Sequence, residues 1–352
     1  MRGMAWHRLR LRLFDHDLCD HERTQSLEHF GTCRRGSKGF VMAKFFKDVR
    51  GKQCVPVGSV VCLGAFDGLH LGHQALVQQT IARARARGLT PTAVCFEPLP
   101  REYFNRSAPP PRVSGLRDRV ALLCAAGVEI VCVLHFTARL SSLTAETFVL
   151  ELLVRRLKAR EVWIGPGFRF GHCRRGDLCL LQRLGNHYCF DADAIAPVEQ
   201  GGHIISSTRI RHLLSQGRLD DAARLLGRRY AISGRVVRGR QLGRTLGYPT
   251  ANLRFKSLPA LTGVYAAWVH SITAAPLRAV VNVGMRPTVA GREPLVEVHL
   301  FDYQADIYGR LMRVEFAAKL RDERKFTNLA ELVNQMRQDA SIARQMLETV
   351  SP

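Results

Sequence analysis

Gly64-Ala65-Phe66-Asp67-Gly68-Leu69-His70-Leu71-Gly72-His73 is the stretch on which the reading of this sequence turns. Just before it, Ser59–Leu63 is an unbroken apolar, β-branched run, the pattern of a strand buried on both faces of a parallel sheet. After it, Leu69–Arg87 carries Leu76, Ile81 and Ala84 at helical spacing and stops at Gly88. The stretch is therefore predicted at a strand-to-helix junction. A helix start offers unpaired N–H groups and the positive end of the peptide dipoles. Gly72 lets a phosphate approach the backbone, and His70 and His73, three residues apart, share a face of the first turn. Two imidazoles there can donate hydrogen bonds to phosphate oxygens whose charge grows in a transition state. The plain alternative is a chance HxxH pair on a polar surface. The FDG turn before it and the glycine inside it count against that.

The same rhythm continues outward. Thr92–Phe96, Ile130–Leu134 and Glu161–Ile164 read as strands, and Leu116–Ala126 and Thr147–Leu157 as helices between them. Strands alternating with helices of this length indicate βαβ units and a parallel sheet. Ligands bind such sheets beyond the carboxyl ends of the strands, which puts Gly64–His73 and Gly165–Gly171 in the expected site. In the other direction, residues 1–48 have weak periodicity. They read as a leading extension, with Met42 an alternative start. His16-Asp17-Leu18-Cys19-Asp20-His21 holds metal-capable side chains, but no second half of a metal site is visible, so it is read as part of that extension.

After Gly227–Tyr230 the pattern changes. Ile232–Val237, Val264–His270, Ala279–Val283, Val296–Phe301 and Met312–Phe316 are short apolar runs between Gly, Pro and polar turns, with no long helix among them. This predicts an antiparallel β-barrel. One helix closes the chain, with Leu329, Leu332, Val333 and Met336 at i, i+3, i+4, i+7 and Thr327 or Asn328 as its cap. The expected division is an α/β domain over 49–228 and a barrel domain over 229–352.

The chain has 352 residues and a formal charge of +22, with 46% hydrophobic and 23% charged residues. That balance excludes general disorder. No run reaches the roughly 18 uncharged apolar residues of a membrane span. The arginines at 2, 8, 10 and 12 have no apolar stretch behind them, so no secretory signal is readable. The charge asks for a polyanionic partner. It is spread along the chain, net +7 from Tyr230 onward and +15 before it, with no block of five or six like charges. A nucleic-acid arm or polybasic membrane anchor would show such a block. The expected partners are therefore small phosphorylated molecules, not nucleic acid or membrane. All ten cysteines lie at or before Cys189, none in a CxxC pair, so neither a zinc knuckle nor a disulfide framework is indicated. Cys62, Cys95 and Cys132 sit in apolar runs, where a free thiol acts as a small hydrophobe, and the expected compartment is the cytoplasm.

Three further segments carry chemistry. Ile205-Ser206-Ser207-Thr208-Arg209-Ile210-Arg211 opens a helix. Its Ser and Thr are ordinary N-caps on the plain reading, and a polyphosphate cradle on the functional one. The stretch from Gly239 to Asn252 (GRQLGRTLGYPTAN) is a loop after a strand. Its glycines Gly239, Gly243 and Gly247 allow close approach to phosphates, and Thr250 and Asn252 offer oxygens suited to Mg²⁺. A glycine-rich hairpin connection is the alternative. Glu297 lies in an apolar strand, where a carboxylate facing inward is costly unless paired or functional.

HxGH followed by ISSTxIR is the signature pair of the HxGH nucleotidyltransferases. Together with Phe96–Glu102 (FEPLPRE), Gly165–Gly171 (GPGFRFG) and Leu226-Gly227-Arg228, it resembles the bacterial bifunctional riboflavin kinase/FAD synthetase family. In the second half GYPTAN, Asn282–Thr288 (NVGMRPT), Val296–Asp302 (VEVHLFD), Tyr308-Gly309 and Arg321–Phe326 (RDERKF) resemble riboflavin kinase signatures. The resemblance runs from about Ser59 to Asp339. It implies a Rossmann-like domain that adenylylates FMN with ATP, giving FAD and pyrophosphate. It also implies a barrel that phosphorylates riboflavin with ATP and Mg²⁺. By motif position His70 and His73 match the catalytic histidines, and Gly64, Phe66, Asp67 and Gly72 the surrounding nucleotide site. Ser207, Thr208 and Arg211 match the pyrophosphate cradle. Glu297 matches the base that takes the riboflavin 5′-hydroxyl proton, and Arg321 and Phe326 match flavin contacts. On the plain reading these last two are a surface charge and a core aromatic.

Three positions depart from the family pattern. Ala65 stands where GNFDG has Asn, Leu99 where FEPHPRE has His, and Gly167 where GxDFxFG has an acidic residue. They put nucleotide and flavin positioning in the first domain in question. Two rival readings follow: a kinase whose transferase domain is weakened or inactive, and, from another class, a basic nucleic-acid-binding protein on the same scaffold.

Overall fold

The computed structural model describes residues 30–34, 40–46, 48–239, 247–255, 257–288 and 291–351. The His16–His21 segment and Gly243 lie outside the described residues. The strands are β1 (Phe30–Arg34), β2 (Phe40–Phe46), β3 (Ser59–Leu63), β4 (Thr90–Glu97), β5 (Ile130–His135), β6 (Ala159–Ile164) and β7 (Asp191–Ala194). A short hairpin follows, β8 (Glu199–Gln200) and β9 (His203–Ile204). The last strands are β10 (Ala231–Val237), β11 (Ala251–Arg254), β12 (Gly263–His270), β13 (Leu277–Thr288), β14 (Gly291–Leu300) and β15 (Leu311–Arg321). The helices are α1 (Leu71–Ala86), α2 (Pro100–Phe104), α3 (Leu116–Ala126), α4 (Ala138–Ser141), α5 (Ala145–Phe148), α6 (Leu178–Tyr188), α7 (Ser207–Ser215), α8 (Leu219–Leu226) and α9 (Leu329–Thr349).

The chain forms two compact units, one from residues 1–110 and 119–204, the other from 111–118 and 205–352. In the first, the sheet order is β1-β2-β5-β4-β3-β6-β7, parallel from β2 to β7, with β1 antiparallel at the edge. Every residue of β3 is buried, as its unbroken apolar run predicts. Val61, Leu63, Val94, Cys132, Leu134, Val162 and Ile164 form one core with Val149, Leu152, Leu153 and Leu157. Helix α1 contributes Leu76, Val77, Ile81 and Ala84 as its buried stripe. Fully burying one such side chain is worth about 1.5–3 kcal/mol.

Several sequence expectations are corrected here. Phe40–Phe46 belongs to the sheet, pairing with β5, and Lys44 and Phe46 are buried. The segment 1–48 is thus not wholly an extension, because β2 finds its partner some ninety residues away in the chain. The single helix expected over 147–157 is α5 followed by a π-helical stretch, Val149–Arg156. β7 (DADA) lacks an apolar signature because it is a half-exposed edge strand.

The second unit holds a closed six-stranded antiparallel barrel, β10-β11-β14-β13-β12-β15. Its buried set includes Ile232, Val236, Leu253, Val281, Val283, Val296, Val298, Val314 and Phe316. β11 begins inside what the sequence presents as loop, so Asn252 sits on a strand. Helix α9 is capped by Asn328, whose side chain accepts the Glu331 N–H at 2.9 Å. It packs Ala343 and Leu347 on Ala266, Trp268 and Phe301. Residues 111–118 join this unit: Arg112 N–H donates to Leu258 C=O at 3.0 Å, and Ser233 N–H to Asp118 Oδ2 at 3.0 Å.

Candidate active sites

In the first unit β3 is flanked by β4 on one side and β6 on the other. The connections leave these strands in opposite directions, which opens a crevice at their carboxyl ends. Leu63 and Ile164, the last residues of β3 and β6, are register partners. Gly64–His73 and Gly165–Gly171 therefore start side by side.

The turn between β3 and α1 is held in an unusual backbone conformation. Phe66 (φ 51°) and Leu69 (φ 39°) are left-handed without being glycine, and Gly68 (φ 84°) lies between them. Residues kept in such conformations need support from their surroundings. Phe66 is fully buried, and its ring lies 3.0–3.2 Å from where a Cβ on Gly64 would be, so Gly64 leaves room for it. Asp67 is also buried. Arg119 of α3, fully buried, donates to Ala65 C=O at 3.0 Å and Phe96 C=O at 3.2 Å and pairs with Glu97. One guanidinium thus ties the ends of β3 and β4 together.

His70 and His73 do not both lie within the helix, as the sequence suggests. His70 is the N-cap of α1 (φ −69°, ψ 171°), and its Nδ1 accepts the His73 N–H at 3.3 Å. Gly72 and His73 are the second and third helical residues. The imidazoles stack with centroids 3.7 Å apart and planes at 19°, and Phe66 meets His73 edge-on at 5.4 Å. Desolvation, and next the neighbouring His70, push the His73 pKa well below its usual value. His73 is therefore neutral at pH 7. Because His70 Nδ1 accepts, that nitrogen carries no proton.

At the departures, Ala65 is exposed, Leu99 is buried, and Gly167 is left-handed (φ 67°) with no neighbour within 4 Å of a Cβ placed there. Ser207, Thr208 and Arg211 belong to the second unit. Ser206 is the N-cap of α7, accepting the Arg209 N–H at 3.3 Å, so Ser207 and Thr208 are not the cap. Arg211 Nη1 donates to Thr208 Oγ1 at 3.5 Å.

The barrel brings its candidates together. Asn252 on β11 is the register partner of Glu297 on β14, and Glu297 is the partner of Asn282 on β13. Three polar residues thus form one row across three strands, on a single face. A cavity of about 720 Å³, including its open mouth, is lined by Glu297, Asn282, Thr250, Arg321 and Phe326. Gly239 lies so close to Asn252 that a Cβ there would overlap the carboxamide nitrogen. Gly247 is left-handed (φ 81°) and exposed.

Residues the sequence did not single out complete this cavity. His299, two residues beyond Glu297, shares a ring-nitrogen hydrogen bond with Pro249 C=O at 3.0 Å and lies 5.2 Å from the Tyr248 ring. Burial lowers its pKa, against the pull of the Pro249 carbonyl. Glu323 is pushed up by burial, drawn back by Arg321 and raised again by Glu297. Its carboxylate occupies the space a side chain on Gly284 would need. Asn282 and Glu323 stand in quoted motifs, but only strand register gives them their neighbours.

Two family models match the chain one after the other. The FAD synthetase family model matches residues 52–209 and the riboflavin kinase family model residues 226–347. The bifunctional riboflavin kinase/FMN adenylyltransferase of Escherichia coli K12 is 41% identical over 296 residues, covering 84% of this chain and 95% of the relative. That of Pseudomonas fluorescens is 41% identical over 289 residues, covering 82% and 92%. A solved Streptococcus pneumoniae structure described as a macrolide-efflux protein is similar with a TM-score of 0.69 and 32% identity. It covers 86% of this chain and 98% of its own. Among the described residues no helix is long and apolar enough to cross a membrane. With two family models side by side and relatives matched over nearly their whole length, the chain belongs to the bifunctional riboflavin kinase/FMN adenylyltransferase family.

Proposed function

We propose that the barrel phosphorylates riboflavin to FMN with ATP, and that the α/β unit carries the histidines that adenylylate FMN to FAD. The observation that carries the kinase reading is the Asn252–Glu297–Asn282 row, of which Glu297 and Asn282 line a cavity that also holds Thr250, Arg321 and Phe326. A carboxylate at the wall of such a cavity is placed to take the proton of the riboflavin 5′-hydroxyl as it attacks the γ-phosphorus of ATP. Arg321 and Phe326 supply a planar donor and an aromatic face for the flavin ring.

The donor set fits Mg²⁺. Thr250 offers a hydroxyl oxygen, and Asn252, braced against Gly239, a carboxamide oxygen. A site with few protein ligands, completed by nucleotide phosphates and water, is the common arrangement for this ion. When bound, Mg²⁺ offsets charge on the transferring phosphoryl group. Gly239 and Gly247 are assigned to the ATP phosphates.

In the α/β unit the FMN phosphate attacks the α-phosphorus of ATP, and pyrophosphate leaves. His70 and His73, at the start of α1, donate to the phosphate oxygens as their charge grows. The low pKa of His73 makes it a neutral donor rather than a cation. The role of Ser207, Thr208 and Arg211 toward the leaving pyrophosphate rests on the family motif and their place in the first turn or so of α7. A reducing, cytoplasmic setting suits the buried thiols Cys62, Cys95 and Cys132.

Incubation with riboflavin, ATP and Mg²⁺, followed by chromatography of the flavins, tests the reading. Both FMN and FAD are expected. FMN alone would select the kinase-only alternative, which Ala65, Leu99 and Gly167 favour; neither product would overturn both activities. Glu297→Gln is expected to lower FMN formation about 100-fold or more while added FMN is still converted to FAD.

A further inference from the structure

Arg321, the last residue of β15, is held along one edge of its guanidinium. Its Nε donates to both carboxylate oxygens of Asp339 at 3.1 Å, and its Nη2 to Asp339 Oδ2 at 2.8 Å. Nη1 donates to Asp322 C=O at 3.0 Å. Asp339 is buried on α9, and Gln335, one turn earlier, donates its amide to Oδ1 at 2.9 Å. A buried carboxylate persists only with such partners.

This arrangement does more than satisfy a charge. Five N–H groups radiate from a guanidinium, and one on each terminal nitrogen is not used by these bonds. Arg321 lines the cavity, with Cζ 5.7 Å from the Phe326 ring centroid. Leu332, Met336, Asp339 and Ala340 line the same cavity from α9, at helical spacing. Pairing with Asp339 offsets the charge of Arg321, so it presents a rigid, planar donor edge instead of a mobile cation. Such an edge suits the carbonyl oxygens of a neutral fused ring better than it suits a phosphate.

We propose that Asp339 is a positioning residue: through the bidentate pair it holds the Arg321 guanidinium in the orientation that hydrogen-bonds the flavin ring, so that α9 sets the affinity for the ring end of the substrate. This rests on the reading of Arg321 as a flavin contact. Quenching of flavin fluorescence on the full chain measures it, with riboflavin and with lumichrome, a ring lacking the ribityl tail. Arg321→Ala and Asp339→Asn are each expected to weaken both ligands about tenfold, the loss of one good hydrogen bond. The double variant is expected to be no weaker than Arg321→Ala alone, because one residue acts through the other. Losses that multiply to about a hundredfold in the double variant would overturn the positioning role. So would normal affinity in Asp339→Asn beside a weakened Arg321→Ala. Normal affinity in Arg321→Ala would instead overturn Arg321 as a flavin contact. A loss for riboflavin but not lumichrome would overturn the assignment to the ring. Should Asp339→Asn fail to fold, Gln335→Leu, which only unsteadies the carboxylate, is expected to weaken both ligands about twofold to threefold, and no change would count against the proposal.

Discussion

The imidazole of His70 caps the helix on whose first turn His73 sits, its Nδ1 accepting the His73 N–H at 3.3 Å. That side chain serves the fold, and in the proposed reaction it would serve the chemistry as well; the two roles can be separated. Asn is among the best N-caps, whereas Ala loses about 1 kcal/mol at this position. His70→Asn is expected to keep the melting temperature of the parent, and His70→Ala to lower it by about 2–4 °C. Both are expected to reduce FAD formation from added FMN about 100-fold. Chromatographic rates and thermal unfolding of the two variants check this. A fully active His70→Asn would show that the cap alone matters.

The depressed pKa of His73 has a consequence for stability. The folded state binds this proton less readily than the unfolded chain, so the unfolded state carries more protons below about pH 6.5. The contribution of neutral His73 is full above that pH and is lost as pH falls below it, toward the folded-state value. The fall in melting temperature between pH 7.5 and 5.5 is expected to be about 2–4 °C smaller in His73→Gln than in the parent. Equal falls would mean that His73 is not held neutral.

Gly239 has no room for a side chain, because a Cβ would overlap the Asn252 carboxamide. Gly239→Ala is expected to displace Asn252 and lower kcat/KM for riboflavin phosphorylation at least about tenfold, roughly 1.4 kcal/mol of transition-state stabilisation. Raising Mg²⁺ should recover part of the loss. An unaffected rate would remove Asn252 from the metal-binding set.

Ala65 is exposed, and the carbonyl of the same residue is already held by Arg119 at 3.0 Å. The turn therefore keeps its shape whatever the side chain at 65. Ala65→Asn is expected to leave the melting temperature unchanged and to raise kcat/KM for FMN adenylylation about threefold or more, through a new amide contact to the nucleotide. A rate that stays level would show that this departure does not limit the reaction.

Much of the architecture is legible from local pattern. The run Ser59–Leu63 and the spacing of Leu76, Ile81 and Ala84 mark β3 and α1 because burial on a strand or a helix face has a fixed period. The closing helix and its Asn328 cap are legible for the same reason. β2 and β11 are not. β2 is stabilised by β5, far along the chain, and β11 is only four residues long and begins at the end of a glycine-rich stretch. His70 and His73 are legible as a pair, but not as cap and capped residue, since that depends on where the helix starts, the least certain point of any helix read from sequence.

The motifs alone determined which chemistry this chain carries, that of the riboflavin kinase/FMN adenylyltransferase family, and they singled out the HxGH pair on a strand-to-helix turn and the GYPTAN segment with Glu297 as its candidates. Such motifs are short and contiguous, so residue type and spacing suffice. The tertiary structure decided which residues share a site. Asn252, Glu297 and Asn282 meet through barrel register, and Asp339 reaches Arg321 because α9 folds back over β12, β13 and β15. Those contacts join residues tens of positions apart in the chain, or neighbours on different elements. Their formation depends on strand pairing and core packing, which no local spacing encodes.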